Sequence, residues 1–447
     1  MGFRRLLIAL AVLAVLGGGV YWSNKVKKAQ EGKPSPDAPP EILKIPEADF
    51  QRLEIRKTGN EPIVLQKSES GKWEMLSGPK WPVDQDAASG IVTTLASLTS
   101  GRLVEEKTAD LGQFGLATPP MEVILGLKGG KTRKLLIGDE SPAGGGSFVK
   151  LEGDARVFTI AAYNKSSIDK TPRDLRDKRL LTFDSEKLTR VELTVKGQAI
   201  EFGKNAQSEW QIIRPQPLRA DGGVVEELVR KLSDAKMDSV ATEEDDKKAA
   251  SAFAAAALIG VARVTDAAGT QQIEVRRDKE KNCYARSSVV EGVHKVASDL
   301  GDSLDKGLDD FRSKKLFDFG FSDPASVEIR DGAKQAAYQK QPDKWMSGAT
   351  QVDATAVNSA LDKLRELAAI KFVTGGFTTP VFEAKVTWSG GKRSERVLIS
   401  KPGASCFAMR EGEPSIYEID PKALEDLQKA FSEIRPYQPP KAVTKKK

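Results

Sequence analysis

The chain carries one histidine and two cysteines in 447 residues. A structural zinc site usually takes four Cys or His ligands, and Cys283, His294 and Cys406 are the only such residues here. A Ser-His-Asp triad would have to run through His294 alone. Two cysteines make no disulfide framework. Aromatic residues are scarce at 6%, and neither sign of charge dominates: 69 Lys and Arg face 63 Asp and Glu, giving a net charge of +6. Nucleic-acid binding calls for a basic stripe with interleaved aromatics. Here opposite charges alternate instead, as in Glu243–Lys248 and Arg276–Lys281, and the Lys445–Lys447 end reads as a solvated tail. No nucleic-acid partner, metal or cofactor is expected, no catalytic residue is assigned, and a non-enzymatic role is favoured. What is present is globular material, 39% hydrophobic and 30% charged. Its length suits about two to four domains.

The strongest local signal is at the start. Arg4 and Arg5 precede Leu6–Trp22, an apolar run with no charge inside. At about 1.5 Å per residue this spans about 25 Å, enough for a short membrane helix. Tyr21 and Trp22 sit where an aromatic belt lies, followed by Lys25, Lys27 and Lys28. A cleaved signal peptide is the competing reading, but Gly17-x-Gly19 is a poor cleavage site. A retained anchor over 1–22 is therefore expected. Positive residues flank the run on both sides, so charge alone does not orient it. N-terminal anchors commonly export the chain beyond them, which places the bulk of this one outside the cytoplasm. Residues 23–47 read as a Pro-rich linker, a semi-rigid spacer that holds no helix.

The body repeats itself. Trp73, Trp210 and Trp345 stand 137 and 135 residues apart, each after two alternating segments joined at a turn. Each Trp is followed by an Asp (Asp84, Asp221, Asp353) that can cap a helix with one apolar face: Ile91, Leu95 and Leu98; Val225, Leu228 and Leu232; Val357, Leu361 and Leu364. Strand patterns follow as GRLVEE, DSVATE and IKFVTG. Further strands carry SFVKL, CYARS and CFAMR, then VFTI, HKVAS and IYEI. Copies one and two close with LRDKRLLTF and FRSKKLFDF, copy three with a helix over Pro421–Ile434. In copy two an Ala-rich helix is expected near Ala249–Val264. The fold class expected is α+β: three tandem antiparallel sheets with helices on one face. The divisions are 48–183, 184–320 and 321–437, with a basic tail over 438–447.

Each candidate site weakens on inspection. Cys283 and Cys406 occupy one strand position in different copies, with Ser147 as their counterpart. Equivalent positions in neighbouring units lie too far apart for a bridge, whose Cα atoms must come within about 7 Å. A lone histidine is no site without a nucleophile or metal ligands nearby, so His294 is read as a surface or core residue. Gly144-Gly145-Gly146 leads into a strand, whereas a phosphate loop leads into a helix. Asn164-Lys165-Ser166 is a formal glycosylation sequon. The three Trp residues could line a glycan groove, but their repetition at one position favours core packing. Asp139-Glu140 cannot pair, because neighbours on a strand point to opposite faces.

The landmarks as a set resemble a bacterial family catalogued as domain of unknown function 4340. They are GKWEM, Pro82-Val83-Asp84, FGLATPP (Phe114–Pro120), LLIGDESP (Leu135–Pro142), SFVKL and RVFTI with LRDKRLL, partly repeated in copy three at Lys344-Trp345, Val352-Asp353, Thr379-Pro380 and Ser415–Ile419. The resemblance covers about Ala48–Pro436. It implies no activity and no catalytic residue. It does imply an envelope protein, single-pass in the inner membrane, with protein partners such as subunits of gliding-motility-type ABC export systems. A cell-wall glycan-binding module and a carboxylate-dependent hydrolase are the alternatives.

Overall fold

A computed structural model describes residues 40–439, apart from Pro79, Ala143, Val240 and Ala241. The expected anchor 1–22, most of the linker 23–47 and residues 440–447 lie outside the described residues. Among the described residues no helix is long and apolar enough to cross a membrane. The chain divides into two compact units, one ending at Lys178 and one starting at Arg179.

The first unit is built on sheet one. Its strands are β1 (Phe50–Lys57), β2 (Ile63–Lys67), β3 (Trp73–Met75), β4 (Arg102–Glu105), β5 (Met121–Leu127), β6 (Thr132–Glu140), β7 (Gly146–Leu151) and β8 (Val157–Ala161). Their spatial order is β3-β2-β1-β5-β6-β7-β8-β4, every pair antiparallel. Alternation puts Leu53, Ile55, Val123, Leu125, Leu135 and Ile137 on one face. Helix α1 (Gln85–Ala96) lays Ile91, Val92 and Leu95 against them. Each such side chain contributes about 1.5–3 kcal/mol when fully buried. This core also takes in Ile42 and Leu43, whose N–H groups both donate to the Leu98 carbonyl. The end of the Pro-rich stretch is thus part of the fold. A short helix α2 (Ala162–Ile168) follows β8.

The second unit holds two more sheets. Sheet two has β9 (Arg190–Val195), β10 (Gln198–Lys204), β11 (Trp210–Arg214), β12 (Leu218–Arg219), β13 (Ala257–Asp266), β14 (Gly269–Arg277), β15 (Cys283–Ser287) and β16 (Val293–Val296). Its helices are α3 (Gly222–Ser233), α4 (Glu243–Ala255), α5 (Ser298–Leu304) and α6 (Leu308–Phe311). Sheet three has β17 (Pro324–Asp331), β18 (Lys334–Gln341), β19 (Lys344–Ser347), β20 (Thr350–Val352), β21 (Ala369–Val373), β22 (Phe382–Trp388), β23 (Arg393–Ser400), β24 (Cys406–Arg410) and β25 (Ile416–Ile419), with helices α7 (Ala354–Glu366) and α8 (Pro421–Ser432). The orders are β12-β11-β10-β9-β13-β14-β15-β16 and β20-β19-β18-β17-β22-β23-β24-β25-β21. Both reproduce the strand order of sheet one, with a short strand added beyond the Trp strand; sheet two lacks only the partner of β4.

The repetition reaches single hydrogen bonds. Asp84, Asp221 and Asp353 cap α1, α3 and α7 with their carboxylates. Their own N–H groups donate to Leu175, Phe311 and Arg435 at 2.9, 2.7 and 3.0 Å. The lead-in to each copy donates to the end of its helix: Ile42 to Leu98, Leu180 to Ala235, Leu316 to Leu367.

Four expectations need correction. None of the described residues of DSVATE lies on a strand: among the described residues copy two has a bridge between Met237 and Val296 where β4 and β21 form strands in the other sheets. The reciprocal capping box of Thr242 and Asp245 starts α4 there instead. The Ala-rich helix ends at Ala255, and Gly260, Ala262 and Val264 alternate inward on β13. Helices are not confined to one face. The Phe253 ring of α4 lies under Arg276 and Arg286, on the face of sheet two opposite the buried Ile273 and Val275. Copies one and two also have closing helices, α2 and α5, of seven residues each.

Candidate functional site

The repeated Trp residues are structural. Trp73, Trp210 and Trp345 are 4%, 7% and 2% exposed, which leaves no face for a sugar. Each stands opposite a lysine on the neighbouring strand (Lys67, Lys204 and Lys340). Two of these cover the indole, at 5.1 and 4.9 Å from the ring centre. Ser147, Cys283 and Cys406 also share one position, facing Ile160, Val296 and Ile419. All three are buried, both cysteines are free, and burial pushes the Cys406 thiol up. His294 aligns with Phe158 and Tyr417, one buried ring per sheet, and its Nε2 meets the Glu291 carbonyl at 3.0 Å.

The glycine motifs are packing devices. Gly144 and Gly145 adopt left-handed φ in the β6–β7 turn, and a Cβ on Gly146 would strike the Ile160 carbonyl. The Phe114–Leu116 segment lies over Gly138 and Asp139, so the FGLATPP and LLIGDESP motifs are two sides of one contact. Asn164 lies on α2.

What the residue-by-residue reading missed is a charge pattern on the outer faces. In each sheet a glutamate is clasped by two arginines. Glu54 meets Arg52 at 3.3 Å and Arg56 at 2.7 Å. Glu201 meets Arg190 at 2.9 Å and Arg214 at 3.1 Å. Glu383 is held by Arg330 and by Arg396, the latter at 2.5 Å. Sheet two adds Glu274 between Arg276 and Arg286, at 2.8 and 2.9 Å. Burial pushes the Glu54 and Glu274 carboxyls up, but the guanidiniums more than offset it and leave both below the usual range. Arg52-x-Glu54-x-Arg56 was legible as a period-two pattern on one strand. The Glu383 clasp was not, because its members come from β17, β22 and β23.

The Glu383 clasp borders a cleft of about 510 Å³ on the outer face of sheet three. Ala337, paired with Glu328, is among its lining residues; Val64 and Glu201 hold the matching positions in the other sheets. The rim carries Glu328, Arg330, Lys385 and Arg396.

A second cluster joins sheets two and three. Arg410 donates to the Leu316 carbonyl at 2.6 Å, to Glu413 at 2.7 Å and to Glu395 at 3.0 Å. Tyr417 donates to Glu413 at 2.9 Å. Arg219 of β12 reaches across to Asp318 at 2.5 Å and to the Lys315 carbonyl at 2.8 Å. Every one of these groups is partnered within the cluster, as in a structural joint. The neighbouring carboxylates hold Arg410 charged despite its burial. The motif is shared: Ser287 donates to the Leu180 carbonyl as Arg410 does to Leu316, and Gln271 accepts from Thr182 N–H as Glu395 does from Asp318 N–H. Among the described residues no group of three or more His, Cys, Asp or Glu could hold a metal ion.

Comparison with known proteins adds one finding. Neither curated proteins nor solved structures yielded a match. One family model matches twice, over residues 73–256 and 210–381. The two matches start at Trp73 and Trp210, the same strand in successive copies, and together cover most of the chain. The chain therefore belongs to the family described as Domain of unknown function (DUF4340).

Proposed function

We propose that this chain is a non-catalytic, membrane-anchored protein of the bacterial envelope that binds or scaffolds partner proteins as an accessory to an ABC-type transporter. The observation that carries the reading is how the reactive residue types are spent. The cysteines and the histidine fill repeated core positions, and the sheet-face glutamates, Glu54 and Glu201 half-buried and Glu274 and Glu383 buried, are each neutralised by arginines. Such a use of these residues suits a chain that offers surfaces to partners. The apolar Leu6–Trp22 run supplies the anchor, and the family resemblance supplies the transporter context. The glycan alternative loses its basis with the burial of the three tryptophans.

The test is purification of the full chain from solubilised membranes. An N-terminus at or near Met1, together with a co-purifying ATPase and permease, is the expected result. An N-terminus near Val20, or a chain recovered without transporter subunits, would overturn the corresponding part of the reading.

A further inference from the structure

We infer that the cleft between the β6–β7 turn and α2 binds a free amino acid, a small zwitterion whose ammonium meets Glu140 and whose carboxylate meets Lys165. This goes beyond the partner-binding role proposed above and does not depend on it. The reason lies in one position compared across the three copies. In copy two the end of β14 carries Arg277, opposite Cys283 on β15, and α5 carries Asp302. The two side chains meet at 2.5 Å and brace the sheet against its closing helix. In copy three Lys401, the residue after β23, meets Glu425 of α8 at 3.2 Å. Asp302 and Glu425 each lie six residues beyond the strand partner of the cysteine, Val296 and Ile419. In copy one the same count from Ile160 leads to Ser166, and Glu140 stands opposite Ser147 as Arg277 stands opposite Cys283. Neither half of the brace is kept, and a cleft of about 330 Å³ lies open there.

The charges of the cleft set the class of ligand. Glu140 and Lys165 both line it, and among the described residues neither forms an ion pair, with the other or with any third group. Asp169, also in the lining, is taken by Lys57. One open carboxylate and one open ammonium facing a single cleft are matched by a ligand that bears both charges, through a charge-assisted hydrogen bond at each end. An ion of one sign would meet one partner and one like charge. The volume is at the small end of ligand sites, which suits one amino acid with a short side chain. Ser141 and Ser147, 7% and 1% exposed, and the exposed Ser166 add hydroxyls that can donate or accept.

The test uses the full chain in detergent and saturation-transfer NMR of glycine, L-alanine and L-serine. Ethanolamine and glycolate, which carry one charge each, serve as controls. At least one of the amino acids should bind, and each control should bind about tenfold more weakly or not at all. Glu140→Gln and Lys165→Gln each remove one charge. Glu140 is exposed, Lys165 is half-buried and neither holds an ion pair, so the melting temperature should stay unchanged while amino acid binding falls about tenfold. Failure of all three amino acids to bind, a control that binds as well as they do, or indifference to both substitutions would each refute the inference. Loss of binding in only one of the two variants would also overturn it, because a zwitterion needs both charges.

Discussion

Tyr417 shows how a single side chain is set by its surroundings. It is 2% exposed, and its hydroxyl donates to Glu413 in the joint between sheets two and three. Burial, reinforced by the Glu413 charge, pushes its pKa from 10.0 up to about 12. The folded value lies above the unfolded one. The stabilisation is therefore complete below about pH 10 and is lost as pH rises toward 12. By pH 11 the loss amounts to about 1 kcal/mol. Tyr417→Phe keeps the ring and removes the titration. At pH 8 the variant should be less stable by about 1 kcal/mol, the worth of a lost hydrogen bond. Near pH 11 the difference should vanish, as read by urea unfolding at both pH values. A difference that stays constant with pH would refute the assignment. In the sequence Tyr417 was one residue of the IYEI strand, and nothing local pointed to its partners. Arg219 and Arg410 lie 191 positions apart and are brought together only by the packing of one copy on the next.

At the scale of elements the sequence was most legible where the cause is local. Asp84, Asp221 and Asp353 were readable as caps because an acceptor at a helix start acts on N–H groups two or three residues away. Replacing any one of them with Ala should cost about 1 kcal/mol. The loss should appear in the unfolding midpoint of the unit that carries it: Asp84→Ala in the first unit, Asp221→Ala and Asp353→Ala in the second. A loss below a few tenths of a kcal/mol at all three would mean that the neighbouring turn contacts, not the caps, hold these helices. Strands flanked by glycine turns were equally plain, since period-two burial follows from backbone geometry. DSVATE misled because the same few residues serve two local structures. Thr242 and Asp245 form a capping box, and the helix it starts outcompetes an edge strand with one bridge to offer. The placement of α4 was likewise hidden. Phe253 finds its place under Arg276 and Arg286, which lie 23 and 33 residues further along.

At the scale of the whole chain, three sheets of one design are distributed over two compact units. The first has its own core, from Ile42 to Leu175. In the second, Arg219, Asp318 and Glu413 tie sheet two to sheet three. Residues 40–178 and 179–439 made as separate proteins should therefore each unfold cooperatively. A cut at 320, between sheets two and three, should instead leave at least one piece that binds a hydrophobic dye. Calorimetry and dye binding of the four fragments check this. Cooperative folding of both pieces made by the cut at 320 would show the joint to be dispensable.

The sequence by itself determined the threefold repeat, the strand alternation, the caps and the scarcity of cysteine and histidine, and the family model registers on the same tryptophans. These follow from composition and from interactions within a few residues, which a linear reading can see. Tertiary structure alone decided which glutamates are clasped and which residues line the cleft of sheet three. Those features depend on side chains from separate strands sharing one face. Register and strand order fix that sharing, and both are settled by burying the opposite face against the helices.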